Sequence, residues 1–83
     1  MRVEASFKNR DRFTTLGLTI AAVRKMRGMS QIQLAEKANV SRSHLAAIES
    51  TNTPVAFSLE ILYNIADALG VEAADLLSAK IPS

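Results

Sequence analysis

The stretch "QIQLAEKANVSRSHLAAIES", Gln31–Ser50, contains two short apolar-periodic runs that break at Asn39-Val40-Ser41 and then resume. A helix that stops and restarts within three residues needs a sharp reversal of the chain. Asn is, after Gly, the residue that most readily takes positive φ, so Asn39 reads as the hinge between two helices. Leu34, Ala38, Val40, Leu45 and Ile48 are spaced to meet between these helices at a steep crossing, with the small Ala35 where the backbones approach. Upstream, Ser30-Gln31-Ile32-Gln33 has the S-x-x-Q form of a capping box, which satisfies otherwise orphaned N–H groups and starts the first helix of the pair. Ser41 is the N-cap candidate for the second, which runs to about Ser50.

Outward from this pair, the punctuation predicts five helices and no strand, because no segment alternates with period two. A first helix is expected from Thr14 to Arg27, with Leu16, Ile20 and Val23 inward and Gly28 as its left-handed cap. "STNTPVAFS" reads as a loop around Pro54; Ser58 then caps a fourth helix with Leu59, Leu62, Ile65, Ala66 and Leu69 inward, closed by Gly70. A short fifth helix is expected from Ala73 to Ala79, after the poor N-cap Glu72. The expected organisation is a basic N-terminal arm over residues 1–13, one all-α domain over 14–79 and a tail over 80–83.

At 83 residues there is room for one small core, and 48% hydrophobic with 22% charged residues is a globular composition. The absence of cysteine excludes disulfides and thiolate metal sites, and the single His44 cannot build a zinc site without several carboxylates, so no cofactor or metal is expected. No apolar run approaches the roughly 18 residues of a membrane span, and "MRVEASFKNRDRF" lacks the apolar segment of a signal peptide, which leads to the expectation of a cytoplasmic protein without membrane contact. Charge is uneven: residues 1–42 carry nine Lys/Arg against three Asp/Glu, a net +6, whereas residues 43–83 carry one Lys against five acids, a net −4. Such asymmetry suits a basic face turned to a polyanion, although a merely solvated face has the same composition.

Three linked motifs, "LG…I..VR..RGMSQ", "SQIQLAEKANVSRSHLAAIE" and "SLEILYNIADALGVEAADLL", together resemble the lambda-repressor-like, Cro/C1-type helix-turn-helix family, also called the XRE family, over about Leu16–Leu77. Two departures stand out. The family usually has Gly where this chain has Asn39, and the loop after Glu49 is about two residues longer and more apolar, "TPVAF". The resemblance implies a compact five-helix domain that binds double-stranded DNA, the third helix lying in the major groove and the N-terminus of the second helix approaching the backbone.

On that basis Arg42, Ser43 and His44 face base edges and Ala47 shares their face. Arg42 can engage guanine O6 and N7 together, and the Ala47 methyl suits thymine. Gln31 matches a family position that holds a phosphate, with Ser41, Asn52 and Thr53 as further phosphate candidates. The family pattern pairs Arg24 with Glu49 as a structural salt bridge between the first and third helices. Arg2, Lys8, Arg10 and Arg12 could reach phosphates or merely solubilise the arm, and the sequence selects none of them.

An enzyme is disfavoured, because the adjacent Ser43 and His44 diverge by about 100° on a helix and have no orienting acid. The competing class is a protein-interaction module of the same fold, of antitoxin or anti-repressor type, acting through a partner protein. The favoured reading is a bacterial or phage transcriptional regulator acting on a palindromic operator. One recognition helix reads only a few base pairs, which argues for a homodimer, with Leu76, Leu77, Ile81, Phe57 and Val55 as expected contacts.

Overall fold

Three serines start three helices. Ser30, Ser41 and Ser58 each accept a hydrogen bond at Oγ from the backbone N–H three residues on, Gln33 at 3.1 Å, His44 at 3.1 Å and Ile61 at 3.2 Å. At Ser30 the box is closed by Gln33 Oε1, which accepts from the Ser30 N–H at 2.8 Å. Three left-handed residues end three helices in a common pattern. Gly28 (φ 71°), Asn39 (φ 56°) and Gly70 (φ 73°) each donate to the carbonyl three residues back, and the next residue donates to the carbonyl five back. These bonds satisfy the last carbonyls of each helix. Asn39 thus performs the turn that glycine performs at the other two sites.

The computed structural model describes residues 3–79. They form β1 (Val3–Glu4), α1 (Arg10–Met26), α2 (Gln31–Ala38), α3 (Arg42–Glu49), β2 (Val55–Ala56), α4 (Leu59–Leu69) and α5 (Ala73–Leu77). Five helices dominate, so the all-α class holds with one small addition: β1 and β2 pair antiparallel, Val3 opposite Ala56 and Glu4 opposite Val55. The Ala5 N–H extends the ribbon to the Pro54 carbonyl at 2.9 Å.

The core is built from every helix. Ile20 and Val23 of α1, Leu34 of α2, Leu45 of α3 and Ile65 of α4 have no exposed surface, and Leu16, Ala35, Ala38, Ile48, Leu62, Ala66, Leu69 and Leu76 join them. Truncating any of the larger ones to Ala should cost about 2–5 kcal/mol. Arg27 adds a polar tie, its Nε donating to the Leu69 carbonyl at the end of α4 at 2.9 Å.

Several expectations are corrected. The first helix begins at Arg10, not Thr14, and Asn9 makes no side-chain cap bond that would have marked the start. The extra turn carries Phe13, which meets Phe57 edge-on with centroids 5.6 Å apart. Val55 and Ala56 form a strand, because burying Val55 (7% exposed) in the core leaves a backbone edge that the N-terminal segment pairs. Residues 3–9 are therefore not a free arm. Leu59 is 64% exposed although it shares the stripe of Leu62 and Ala66, because in the first turn of α4 it lines an open groove instead of the packed core. The fifth helix stops at Leu77. Leu76 (1% exposed) and Val55 belong to the domain's own core, so neither offers surface for a dimer contact. Among the described residues no helix is long and apolar enough to cross a membrane.

Candidate nucleic-acid interface

Helix α3 is anchored by Leu45 and Ile48, which lie on one side and are fully or almost fully buried. At 100° per residue the opposite side is formed by Arg42, Ser43, Ala46 and Ala47. Arg42 and Ser43 are exposed, as is the cap residue Ser41, so the N-terminal end of α3 faces solvent. His44 is half-buried. Ala47 packs partly against the core and presents only part of its methyl group outward. Ala46, one turn after Arg42 on the same face, is equally half-buried and was not singled out by sequence reasoning, although the i, i+4 relation to Arg42 was available.

The other end of α3 is held by a buried polar cluster. Arg24 donates from Nε to Glu49 Oε2 at 2.8 Å and from a terminal nitrogen to Glu49 Oε1 at 2.9 Å, a bidentate pair tying α1 to α3. The remaining terminal nitrogen donates to the Met29 carbonyl at 2.8 Å, fixing the chain between α1 and α2. The Glu49 hydrogen bonds raise the Arg24 pKa against the opposing desolvation, so the guanidinium stays charged. Gln31 joins the cluster, its Nε2 donating to Glu49 Oε1 at 3.0 Å. An amide nitrogen carries two hydrogens, so this bond leaves one for a ligand. Gln33 is committed to the capping box, which leaves Gln31 as the available glutamine of this turn.

Of the expected site residues, Gln31, Arg24 and Glu49 thus come together at the C-terminal end of α3. Asn52 and Thr53 are exposed in the loop that follows. Arg42 lies at the opposite end, seven residues or about 10 Å from Glu49 along the helix. One contributor escaped sequence reasoning. Gly17 of α1 is buried where α1 crosses α3, and a Cβ there would overlap the Ile48 carbonyl oxygen and approach the carbonyl carbon to 3.1 Å. A glycine inside a helical pattern was the signal that could have revealed this close approach.

A second surface lies elsewhere. A groove of about 600 Å³ runs between the start of α1, the start of α4 and the end of α5, lined by Phe13, Leu16, Phe57, Leu59, Leu62 and Leu77. Leu77 is 63% exposed. Of the expected dimer contacts, Phe57 and Leu77 are here, while Ile81 lies outside the described residues, as does Arg2 of the basic arm.

Comparison with known proteins agrees with this geometry. A helix-turn-helix family profile matches residues 20–76. The immunity repressor protein of Bacillus phage phi105 is 50% identical over 58 residues, which is 70% of this chain and 39% of that protein; the chain thus spans about two fifths of its relative's length. The restriction-modification controller protein C.AhdI from Aeromonas hydrophila superposes with a TM-score of 0.72 at 26% identity, over 77% of this chain and 94% of that one. SinR, a master regulator for biofilm formation, superposes in its DNA complex with a TM-score of 0.65 at 37% identity, over 75% of this chain and 97% of that one. Its N-terminal DNA binding domain from Bacillus subtilis does so with a TM-score of 0.66 at 36% identity, over 77% and 91%. With a family profile that covers most of the chain and a relative half identical to it over 58 residues, this protein belongs to the Cro/C1-type helix-turn-helix family.

Proposed function

We propose that the domain binds double-stranded DNA sequence-specifically and regulates transcription, with α3 in the major groove. The observation that carries this reading is the exposed N-terminal end of α3, Arg42 and Ser43, on a helix whose other side is locked into the core by Leu45 and Ile48. Arg42 is the reader, bidentate to guanine, with Ser43 and the partly exposed Ala47 on its side of the helix, while the half-buried His44 lies round from them. Gln31, Ser41, Asn52 and Thr53 hold the backbone. The kinship with an immunity repressor and with a SinR domain solved on DNA supports this reading.

The test is selection of bound duplexes from a random pool, followed by Arg42→Ala and Gln31→Ala on the winning site. Arg42→Ala should cost about 1–3 kcal/mol and relax preference at one base pair per half-site, whereas Gln31→Ala should weaken all sequences alike. A uniform loss from Arg42→Ala would remove it as a base reader.

The domain acts as a two-fold homodimer on an inverted repeat. This is favoured by the apolar groove, where Leu59 and Leu77 stand exposed around Phe57. The same groove would serve a different partner protein if the domain were mainly an interaction module. The two are separated by salt, since DNA affinity falls steeply with ionic strength and an apolar protein contact does not.

A further inference from the structure

The basic residues near the N-terminus are indistinguishable in the sequence, but the fold separates Arg10 from Arg12. Pairing of β1 with β2, continued by the Ala5 N–H on the Pro54 carbonyl, fixes the N-terminal segment beside the loop that leaves α3. Arg10 consequently lines a small recess with Phe7, Asn52 and Pro54, next to the loop that carries Thr53. Its guanidinium carbon lies 5.8 Å from the centre of the Phe7 ring, a cation–π arrangement that steadies the long side chain. It also gives a reason for Phe7 to stand 86% exposed. Arg12 goes elsewhere: it bonds Asn9 Oδ1 at 3.3 Å and lines the apolar groove with Phe57, Leu59 and Leu77. Two positions along a helix is a turn of about 200°, so Arg10 and Arg12 face nearly opposite ways.

We infer that Arg10, supported on Phe7, is a phosphate-binding residue of the domain, carried to the DNA side by the two-stranded ribbon. The inference rests on the proposed docking of α3 in the major groove. An eight-residue helix is about 12 Å long, close to the groove's width, so the loop beyond its C-terminal end comes up against one phosphate wall. Anything pinned to that loop shares its position. Glu4 lies in the same recess as Arg10 and so would repel the phosphates that Arg10 attracts.

Three exposed positions test this with opposite expectations. Binding to the selected duplex and to a scrambled one is measured by fluorescence anisotropy over a range of salt, with thermal melts to show that each variant folds. Arg10→Ala should reduce the slope of log K against log salt by about 0.9, which is about a fivefold loss at 0.15 M salt relative to 1 M, equally on both duplexes. Glu4→Gln should raise affinity, and Arg12→Ala should leave the slope unchanged. An unaltered slope for Arg10→Ala overturns the assignment, and so does an equal fall for Arg12→Ala, which would mean that only net charge is felt. A wild-type affinity insensitive to salt refutes DNA binding itself and takes the assignment with it.

Discussion

Replacing Gly17 with Ala should destabilise this domain even though the position is in the middle of a helix. On helix propensity alone the change is favourable by about 1 kcal/mol. The new methyl, however, would overlap the Ile48 carbonyl oxygen, with the carbonyl carbon at 3.1 Å and the Glu49 Cα at 3.5 Å. These are backbone atoms of α3, which cannot turn away as a side chain would, so α1 and α3 must move apart. Overpacking costs about 1–3 kcal/mol, and a backbone obstacle puts this case at the upper end. The separation also loosens the Arg24–Glu49 pair, which bridges the same two helices. Offsetting the propensity gain leaves a net loss of about 2 kcal/mol, or about 8–16 °C in melting temperature for a domain of this size. Far-UV circular dichroism melts of the two proteins decide the matter. A variant that melts at or above wild type would show that propensity governs the site and that the close approach is unnecessary.

Other substitutions probe the remaining supports. Glu49→Ala leaves the buried Arg24 guanidinium without its carboxylate and should cost about 3–5 kcal/mol, while replacing both by apolar residues of similar volume should cost less; equal losses in chemical denaturation would refute the asymmetry. Asn39→Val should cost about 1–2 kcal/mol because a β-branched residue resists φ of 56°, whereas Asn39→Gly should be nearly neutral, both read from urea midpoints. Leu77→Lys should leave the fold intact but weaken self-association in sedimentation equilibrium, an unchanged constant excluding the groove as the dimer contact. On DNA, inserting five base pairs between half-sites spaced about 10 base pairs apart should abolish binding, and inserting ten should partly restore it; indifference to spacing would argue against a two-fold dimer.

What the sequence conveyed well was encoded locally. The caps Ser30, Ser41 and Ser58 bond amides only three residues away, and the left-handed turns at Gly28, Asn39 and Gly70 involve bonds reaching five residues back at most. Such features can be read from a short window, and they alone define the α2–turn–α3 unit. The ribbon could not be read that way, because each of its strands has two residues and its partners are about fifty residues apart. Nor could pattern alone decide between Leu76 and Leu77: in a five-residue helix with a poor cap, only packing against α1 and α4 determines which of two adjacent leucines turns inward. At the site, the Arg24–Glu49 pair came from family resemblance, and the bond from Gln31 to the same carboxylate required coordinates. Recognition of a base or phosphate by Arg42 or Gln31 is a property of a complex, of which the sequence supplies only one side.

The bond between Gln31 and Glu49 has a consequence for how such a surface can evolve. Immobilising a glutamine side chain costs about 1.5–2 kcal/mol of rotational freedom. Here that loss falls on folding, so under the proposed docking the amide would meet a backbone phosphate already at rest. A lysine in its place would bring a full charge, yet its longer chain would have to be ordered afresh at each encounter, and its ammonium group would be drawn toward Glu49. Selection for tighter backbone contact therefore has little to gain from added charge at this position, and a neutral residue held still can be the better anion ligand.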